Sequence, residues 1–342
     1  MARKETHMEK SEIVPGCSID VGTMNLVAAR RSGKKVSTNR IRNAFIDLEP
    51  DKKRMLKLSN TSFVELGDRL LVLGDEALET ANLFNREARR PMSGGLMASG
   101  ELDSQQIISL MMKKILGDPT VPNEKCAYSV PAPAVDVNDS DITYHKAVLK
   151  KILTELGYDA IDVNEALAII FSECGNENFS GLGISYGSGM TNVCLAYNAM
   201  SAMEFSLGRG GDYIDRGAAK AVGTTAARIC SIKEGKSKSV DITKPETREE
   251  EAIALFVQTL IDYTIDNIIT HFHNVKSELF IPKPVPIIVS GGTSLANGFL
   301  EKFKERFKLH SGKFPFQVSD IRAAADPMTA VSTGLLLLSQ MD

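Results

Sequence analysis

Asp20-Val21-Gly22-Thr23-Met24-Asn25 interrupts two apolar runs, with Cys17 and Ile19 before it and Leu26-Val27-Ala28-Ala29 after it. Extended apolar segments on both sides of a glycine turn predict a hairpin. The same order of features returns 165 positions later, counted from Asp20 to Ser185. There Leu182 to Tyr186 leads into Gly187-Ser188-Gly189-Met190-Thr191-Asn192, and Val193-Cys194-Leu195-Ala196 follows. A separation of about one domain length predicts two similar halves. A third turn, Ser290-Gly291-Gly292-Thr293-Ser294, follows the short apolar strand Ile287-Ile288-Val289.

Glycine matters in such turns because backbone N–H groups then reach an anionic phosphate without an intervening side chain. The hydroxyls of Thr23 and Thr191 are expected to add donors. Any one of these turns alone reads as an ordinary hairpin or strand-to-helix connection. Three of them in this order and spacing point to a nucleotide.

The segments between the turns read as alternating strands and helices. Residues 33–103 are rich in charge and short turns, carry candidate strands around Phe63 to Leu66 and Leu70 to Leu73, and read as a small inserted subdomain. Helical spacing follows at Ile107, Ile108, Leu110, Met111 and Ile115, with Gly117 as the stop. A strand over Cys126 to Val130, a helix carrying Ala147, Val148, Ile152 and Leu156, and a short helix over Glu165 to Glu173 continue an α/β pattern. Thr247 and Glu250 form a capping-box pattern ahead of a long helix with Ile253, Val257, Leu260, Ile261, Ile265 and Ile268. One helix is expected to carry Leu295, Phe299, Leu300, Phe303 and Phe307, and the last to start at Pro327.

Asp20-x-Gly22-Thr23-x-Asn25 resembles the first phosphate motif of the superfamily that unites actin, the heat-shock chaperones and the sugar kinases. Gly187-x-Gly189-x-Thr191 resembles the second, and Val289-Ser290-Gly291-Gly292-Thr293 resembles the adenosine motif. Within that superfamily the chain looks most like the bacterial actin MreB. Gly74-Asp75-Glu76-Ala77, Arg90-Pro91-Met92, Val130-Pro131, Gly210-Gly211-Asp212-x-x-Asp215 and Asp326-Pro327-x-x-Ala330-Val331-x-x-Gly334 match it in the same order. ParM and FtsA show fewer of these matches. The middle is patchy, and the stretch between Asp215 and Ile287 is short for MreB.

The resemblance implies an α/β actin-like fold with mixed sheets, inserted subdomains and a nucleotide cleft between two related domains. Residues 1–15 are expected as a tail and 16–162 as the first domain. Residues 163–325 are expected as the second domain, with an insertion at about 216–275, and 326–342 as a helix returning to the first. It implies ATP and Mg²⁺ as cofactors. Gly22, Thr23, Met24, Asn25, Gly187, Ser188, Gly189, Met190 and Thr191 would hold the phosphates. Gly210, Gly211, Asp212 and Asp215 would lie near the sugar and phosphates, and Gly291, Gly292 and Thr293 would hold the adenosine.

By the same resemblance Glu165 positions the attacking water, which needs an in-line acceptor. A glutamate at a helix N-terminus is also stabilised by the dipole without any catalysis. Asp20 would act on Mg²⁺ through water, since magnesium keeps much of its hydration shell. The family's second aspartate is replaced by Ser185. A hydroxyl there accepts from a metal-bound water but brings no charge, so slow hydrolysis is expected. Arg228 and Lys233 read as a solvated helix face, the run from Lys233 to Lys238 as a solvated loop, and Asp212 equally as a helix cap. His271 and His273 lie on different helix faces and suggest no metal site.

The 342 residues are 43% hydrophobic and 24% charged with a net charge of −3, which describes two packed cores and gives no electrostatic excess toward nucleic acid. Five scattered cysteines without ligand spacing read as reduced thiols in a cytoplasm. No apolar run is read as reaching the roughly 20 residues that span a bilayer, and Met1 to Lys10 is too polar for an amphipathic anchor, so membrane contact is expected only through a partner. The expected function is ATP binding with slow hydrolysis, coupled to self-association into protofilaments. The rivals are a non-polymerising, nucleotide-sensing adaptor or scaffold and, behind it, a small-molecule kinase of the same fold.

Overall fold

The Gly22 N–H donates to the Asn25 carbonyl at 3.0 Å, closing the first glycine turn. That turn joins β1 (Ile13–Val21) to β2 (Asn25–Ser32), and β3 (Lys35–Arg42) extends the antiparallel ladder. The computed structural model describes residues 13–98, 100–101, 103–138, 142–235, 240–275 and 281–341. Residues 1–12 of the expected tail and residues 236–238 of the expected loop lie outside them. β1 begins ahead of the expected start at Gly16, because Ile13 and Val14 pair with Ser32 and Arg31 across a bulge.

A smaller unit follows. β4 (Phe45–Leu48), α1 (Lys53–Leu58), β5 (Val64–Leu66), β6 (Arg69–Leu73) and α2 (Asp75–Leu83) form a three-stranded sheet of order β4-β6-β5 with two helices. Ile46, Leu48, Leu56, Leu70, Val72, Ala77 and Ala81 give it a core of its own. β7 (Met92–Ser93) and β8 (Leu96–Met97) make a short hairpin with Gly94-Gly95 at its tip. The chain then returns to the first sheet. α3 (Ser104–Leu116) buries Ile107, Ile108 and Met111 and ends at Gly117, as its period predicts. β9 (Lys125–Val130) lies parallel to β1, and after α4 (Thr143–Glu155) β10 (Asp159–Asn164) lies parallel to β9.

α5 (Glu165–Glu173) leads into the second half, where β11 (Gly181–Tyr186), β12 (Thr191–Tyr197) and β13 (Met200–Leu207) repeat the antiparallel ladder. α6 (Gly211–Val222), α7 (Ala226–Lys233) and α8 (Arg248–Val275) follow. β14 (Val285–Ser290), α9 (Phe299–His310), β15 (Val318–Ala323) and α10 (Ala330–Ser339) complete the chain. The two large sheets have orders β10-β9-β1-β2-β3 and β15-β14-β11-β12-β13. Each is an antiparallel three-strand ladder whose first strand carries two further parallel strands on its other side. The internal repeat legible only in the glycine turns is thus a repeat of whole-sheet topology.

Three expectations need correction. Leu295 is not on a helix with Phe299: it ends a short turn of 3-10 helix, and Gly298, at φ 81°, breaks the chain before α9. The last helix starts at Ala330, not Pro327. Asp326 builds the preceding turn instead, with its carboxylate accepting from the Met328 N–H and the Thr329 hydroxyl and its carbonyl from the Ala330 N–H. Finally, residues 248–273 of α8 have the length and apolarity of a membrane span. Here Ile253, Val257, Leu260, Ile261, Ile265 and Ile268 are taken up by the same core as Ile184, Val193 and Ile287. No separate core marks residues 216–275 among the described residues, unlike the small unit of the first half.

α5 and α10 cross beneath the two sheets. Ala166, Ala168, Ile169, Ile170, Val331 and Leu335 form a third buried cluster there. Small residues let the backbones meet. A Cβ on Gly334 would fall on the Ala168 carbonyl.

Candidate functional site

The duplicated topology brings both hairpin turns to the same side of the molecule, facing each other across a cleft of ≈ 840 Å³. Gly22, Thr23, Met24 and Asn25 line it from the first half, and Gly187, Ser188, Gly189 and Met190 from the second. Gly211, Asp215, Gly291, Gly292 and Thr293 close the far wall. The turns are in contact: a Cβ on Gly189 would collide with Thr23 Oγ1 and the Gly95 N–H, so only glycine fits there. Gly291 takes φ 93° at the end of β14, and a side chain would lie 2.5 Å from the Tyr186 carbonyl. Gly292 differs. A Cβ there meets nothing nearer than Met328 Sδ at 3.5 Å, so a larger side chain projects into the cleft.

Two carboxylates sit at the floor. Asp20, one residue from the end of β1, accepts the Ser129 hydroxyl of β9 at 2.7 Å through one oxygen. Burial raises its pKa to about 6, against the opposing hydrogen bond from Ser129. Glu165 is the first residue of α5, placed by Asn164, whose side chain caps the helix by accepting from the Ala166 and Leu167 N–H groups. Its oxygens accept from Ser185 Oγ at 2.6 Å and from Asn192 Nδ2 at 2.8 Å. Asn192 is itself oriented by the Ser206 hydroxyl, 2.5 Å from its Oδ1. Burial, and then the charge of Asp20, raise Glu165 to about 8, while the Ser185 hydrogen bond pulls the other way.

Several expected contacts are used differently. The Thr191 hydroxyl is fully buried and donates to the Arg209 carbonyl at 2.7 Å, so it offers nothing to a phosphate. Thr23 keeps its place in the cleft while its Oγ1 accepts from the Gly95 N–H at 3.0 Å. Gly210 does not line the cleft, since it ends the loop before α6 against the Gly187 and Ser188 carbonyls. Asp212 does not line it either. It accepts from Ser188 Oγ at 2.7 Å and pairs with Arg90 Nη2 at 3.1 Å, a bridge from the first half to the second. Thr293 lines the cleft but donates its hydroxyl to the Gly187 carbonyl at 2.9 Å.

Lys233 overturns its reading as a solvated residue. Its side chain is largely buried, lines the cleft, and pairs with Asp215 at 2.8 Å. Burial raises the pKa of Asp215 from its ordinary value, with Lys233 pulling the other way. Next to it Glu234 pairs with Arg42 at 2.8 Å, again across the two halves. Arg228 is exposed on α7, as expected. Sequence reasoning gave no role to Arg42, Arg90, Ser129, Asn192 or Glu234. Arg90 and Asn192 stood inside quoted motifs, and the others carried no signal without the fold.

The donor set suits a nucleotide. The volume falls within the roughly 300–1,000 Å³ of small-molecule clefts. The Lys233–Asp215 pair and the open face of Gly292 sit at the third turn, where a sugar and base would lie, and two glycine turns meet over the carboxylates. For Mg²⁺ the residues offer Asp20, whose second oxygen bonds no described residue. One carboxylate with phosphate oxygens and water is an ordinary magnesium environment. Ser185 gives its proton to Glu165, which leaves its oxygen lone pairs as the acceptor expected for a metal-bound water.

Among solved structures, the chain is similar to a MamK double helical filament, with 19% identity, coverage of 96% of this chain and 99% of that one, and a TM-score of 0.70. It is similar to MreB 5 of Spiroplasma citri bound to AMPPNP, with 16% identity, 95% of each chain covered and a TM-score of 0.65. It is similar also to the ethanolamine utilization protein EutJ from Carboxydothermus hydrogenoformans, with 14% identity, 96% and 93% covered and a TM-score of 0.56. Among curated proteins no sequence match was found. These likenesses establish the actin-like fold expected from the three turns. A sequence model of the Volactin family matches residues 16–338, and the chain belongs to that family.

Proposed function

We propose that the chain binds Mg-ATP in this cleft, hydrolyses it slowly and assembles into protofilaments in the cytoplasm. The observation that carries the reading is the placement of Asp20 and Glu165 at the floor of a cleft walled by all three glycine turns. When bound, Mg²⁺ would supply charge neutralisation at the phosphates, with Asp20 holding it through water. Gly22 to Asn25 and Gly187 to Met190 would face the phosphates with backbone N–H groups. Glu165 would accept a hydrogen bond from the attacking water and fix its line of approach. Ser185 and Asn192 aim that carboxylate, and the proton each donates favours its ionised form. Support for assembly comes from resemblance, since MamK is described as a double helical filament.

Glu165→Ala tests the reading. It removes the proposed water contact and none with the nucleotide, so ATP binding is expected to persist while phosphate release falls on the order of a hundredfold. Filaments formed by this variant in ATP should outlast those of the native chain. Equal loss of binding and turnover would assign Glu165 a structural role at the start of α5 instead.

A further inference from the structure

A second groove, of ≈ 680 Å³, lies where α9 and β15 meet. Phe307, Phe314 and Phe316 make its floor, with ring centroids 4.8 Å apart for the first pair and 4.9 Å for the second. Phe316 leans on Phe272, near the C-terminal end of α8, at 5.6 Å. Lysines flank the lining residues along the chain. Lys304 and Lys308 lie one turn apart on α9 beside Phe307, Lys283 precedes Pro284, and Lys313 precedes Phe314; all four are exposed. Other α9 charges are paired, Lys302 with Glu305, Arg306 with Asp262, and His310 with Asp262 and Asp266. These four lysines have no ion-pair partner among the described residues, and Glu301, the remaining acid of α9, stands one turn before Lys304.

The other end of α8 is complementary. Its first turn carries Glu249, Glu250 and Glu251, and one turn beyond Glu251 Leu255 is 59% exposed. The helix dipole accounts for glutamates in a first turn. It accounts neither for an exposed leucine above them nor for four lysines, unpaired among the described residues, that flank an aromatic groove. At 1.5 Å per residue, Arg248 and Phe272 stand about 36 Å apart along one helix.

We propose that the lysine-flanked aromatic groove of one copy receives the acidic N-terminal end of α8 from a second copy. The two patches differ and sit at opposite ends of one rigid helix, so the contact is heterologous and propagates as an open row. Leu255 meets the phenylalanine floor, and the glutamates meet the flanking lysines, which sets register and rate of encounter. This inference rests on the proposed assembly and assigns its surface.

Charge reversal tests it. Lys304→Glu/Lys308→Glu and Glu249→Lys/Glu251→Lys are made in the full chain, and assembly with Mg-ATP is followed by sedimentation after thermal melts confirm folding. Lys304, Lys308 and Glu251 are exposed and Glu249 is half-buried. Each variant alone is expected to raise the threshold concentration about tenfold or more, because like charges then face each other. An equal mixture of the two is expected to assemble near the native threshold, since every junction again pairs opposite signs. Variants that assemble like the native chain, or a mixture no better than its parts, overturn the assignment. So does loss of binding to anionic lipid vesicles by Lys304→Glu/Lys308→Glu with assembly unchanged, which gives the groove to a lipid surface. A native chain that stays monomeric at every concentration overturns the assembly reading itself.

Discussion

Ser185 Oγ lies 2.6 Å from Glu165 Oε1 and donates its proton to it. The serine at the position of a missing aspartate is therefore engaged with the proposed water-positioning carboxylate. It lowers the cost of ionising a group that burial and Asp20 push up to about 8.

Ser185→Asp is expected to slow phosphate release. A carboxylate at 185 would face Glu165 where a donor now stands, two like charges in a site already holding Asp20. Ser185→Ala should slow it less, by about tenfold, because it removes a donor without adding a charge. Phosphate release at saturating Mg-ATP separates these outcomes. A faster Ser185→Asp variant would show that a second anion near the metal outweighs the repulsion.

Stability of the ligand-free protein is expected to fall as pH rises. Asp20 and Glu165 hold protons more tightly in the folded cleft, at about 6 and about 8, than in the unfolded chain. The folded state therefore binds more protons, and the advantage, complete below the ordinary carboxylate range, is lost as pH passes first the Asp20 and then the Glu165 value. Glu165→Gln should remove the later part of this fall. Thermal melts across roughly pH 5–9 read the effect, and a native melting temperature that rises over this range would contradict it.

Arg90 holds Asp212 with both terminal nitrogens, at 3.2 and 3.1 Å, and thereby ties the two halves together. Arg90→Met is expected to cost about 1–2 kcal/mol, toward the low side of the value for hydrogen bonds to a charged group because Arg90 is partly exposed. Asp212→Asn added to it should cost much less than on its own background, as expected for contacting partners. Urea unfolding of the four proteins gives the cycle. Simple additivity would mean that the bridge contributes nothing.

Gly334→Ala should be more damaging than any surface change. Its Cβ would fall on the Ala168 carbonyl where α10 crosses α5, so the helices must separate, at a cost of about 1–3 kcal/mol or more. A calorimetric melt within a degree of the native value would contradict the close crossing.

Much of the fold was legible because its decisive signals are local. Glycine turns flanked by apolar runs specified both hairpins, and the period of Ile107, Ile108 and Met111 specified α3. The repeat of entire sheets was hidden, because its strands share a hydrophobic pattern and not residues. Boundaries failed where side chains build turns, as Asp326 does ahead of α10. In the cleft the glycines and carboxylates could be named from motifs. The occupation of Thr191 by Arg209, of Asp212 by Arg90 and of Lys233 by Asp215 could not. Each pair is joined by folding over 18 residues or more, and a charge in a run such as Lys233-Glu234 looks solvated until its partner is known.

The central claim is that the cleft binds Mg-ATP, and thermal unfolding with and without the nucleotide tests it most directly. A ligand bound only by the folded state adds about 2.7 kcal/mol at a hundredfold excess over Kd. Gly292→Val, where the backbone tolerates a side chain but the cleft does not, serves as the control. The account predicts a clear rise in melting temperature for the native chain and none for Gly292→Val, with both proteins equally stable alone. An unchanged melting temperature for the native chain at millimolar Mg-ATP would contradict it.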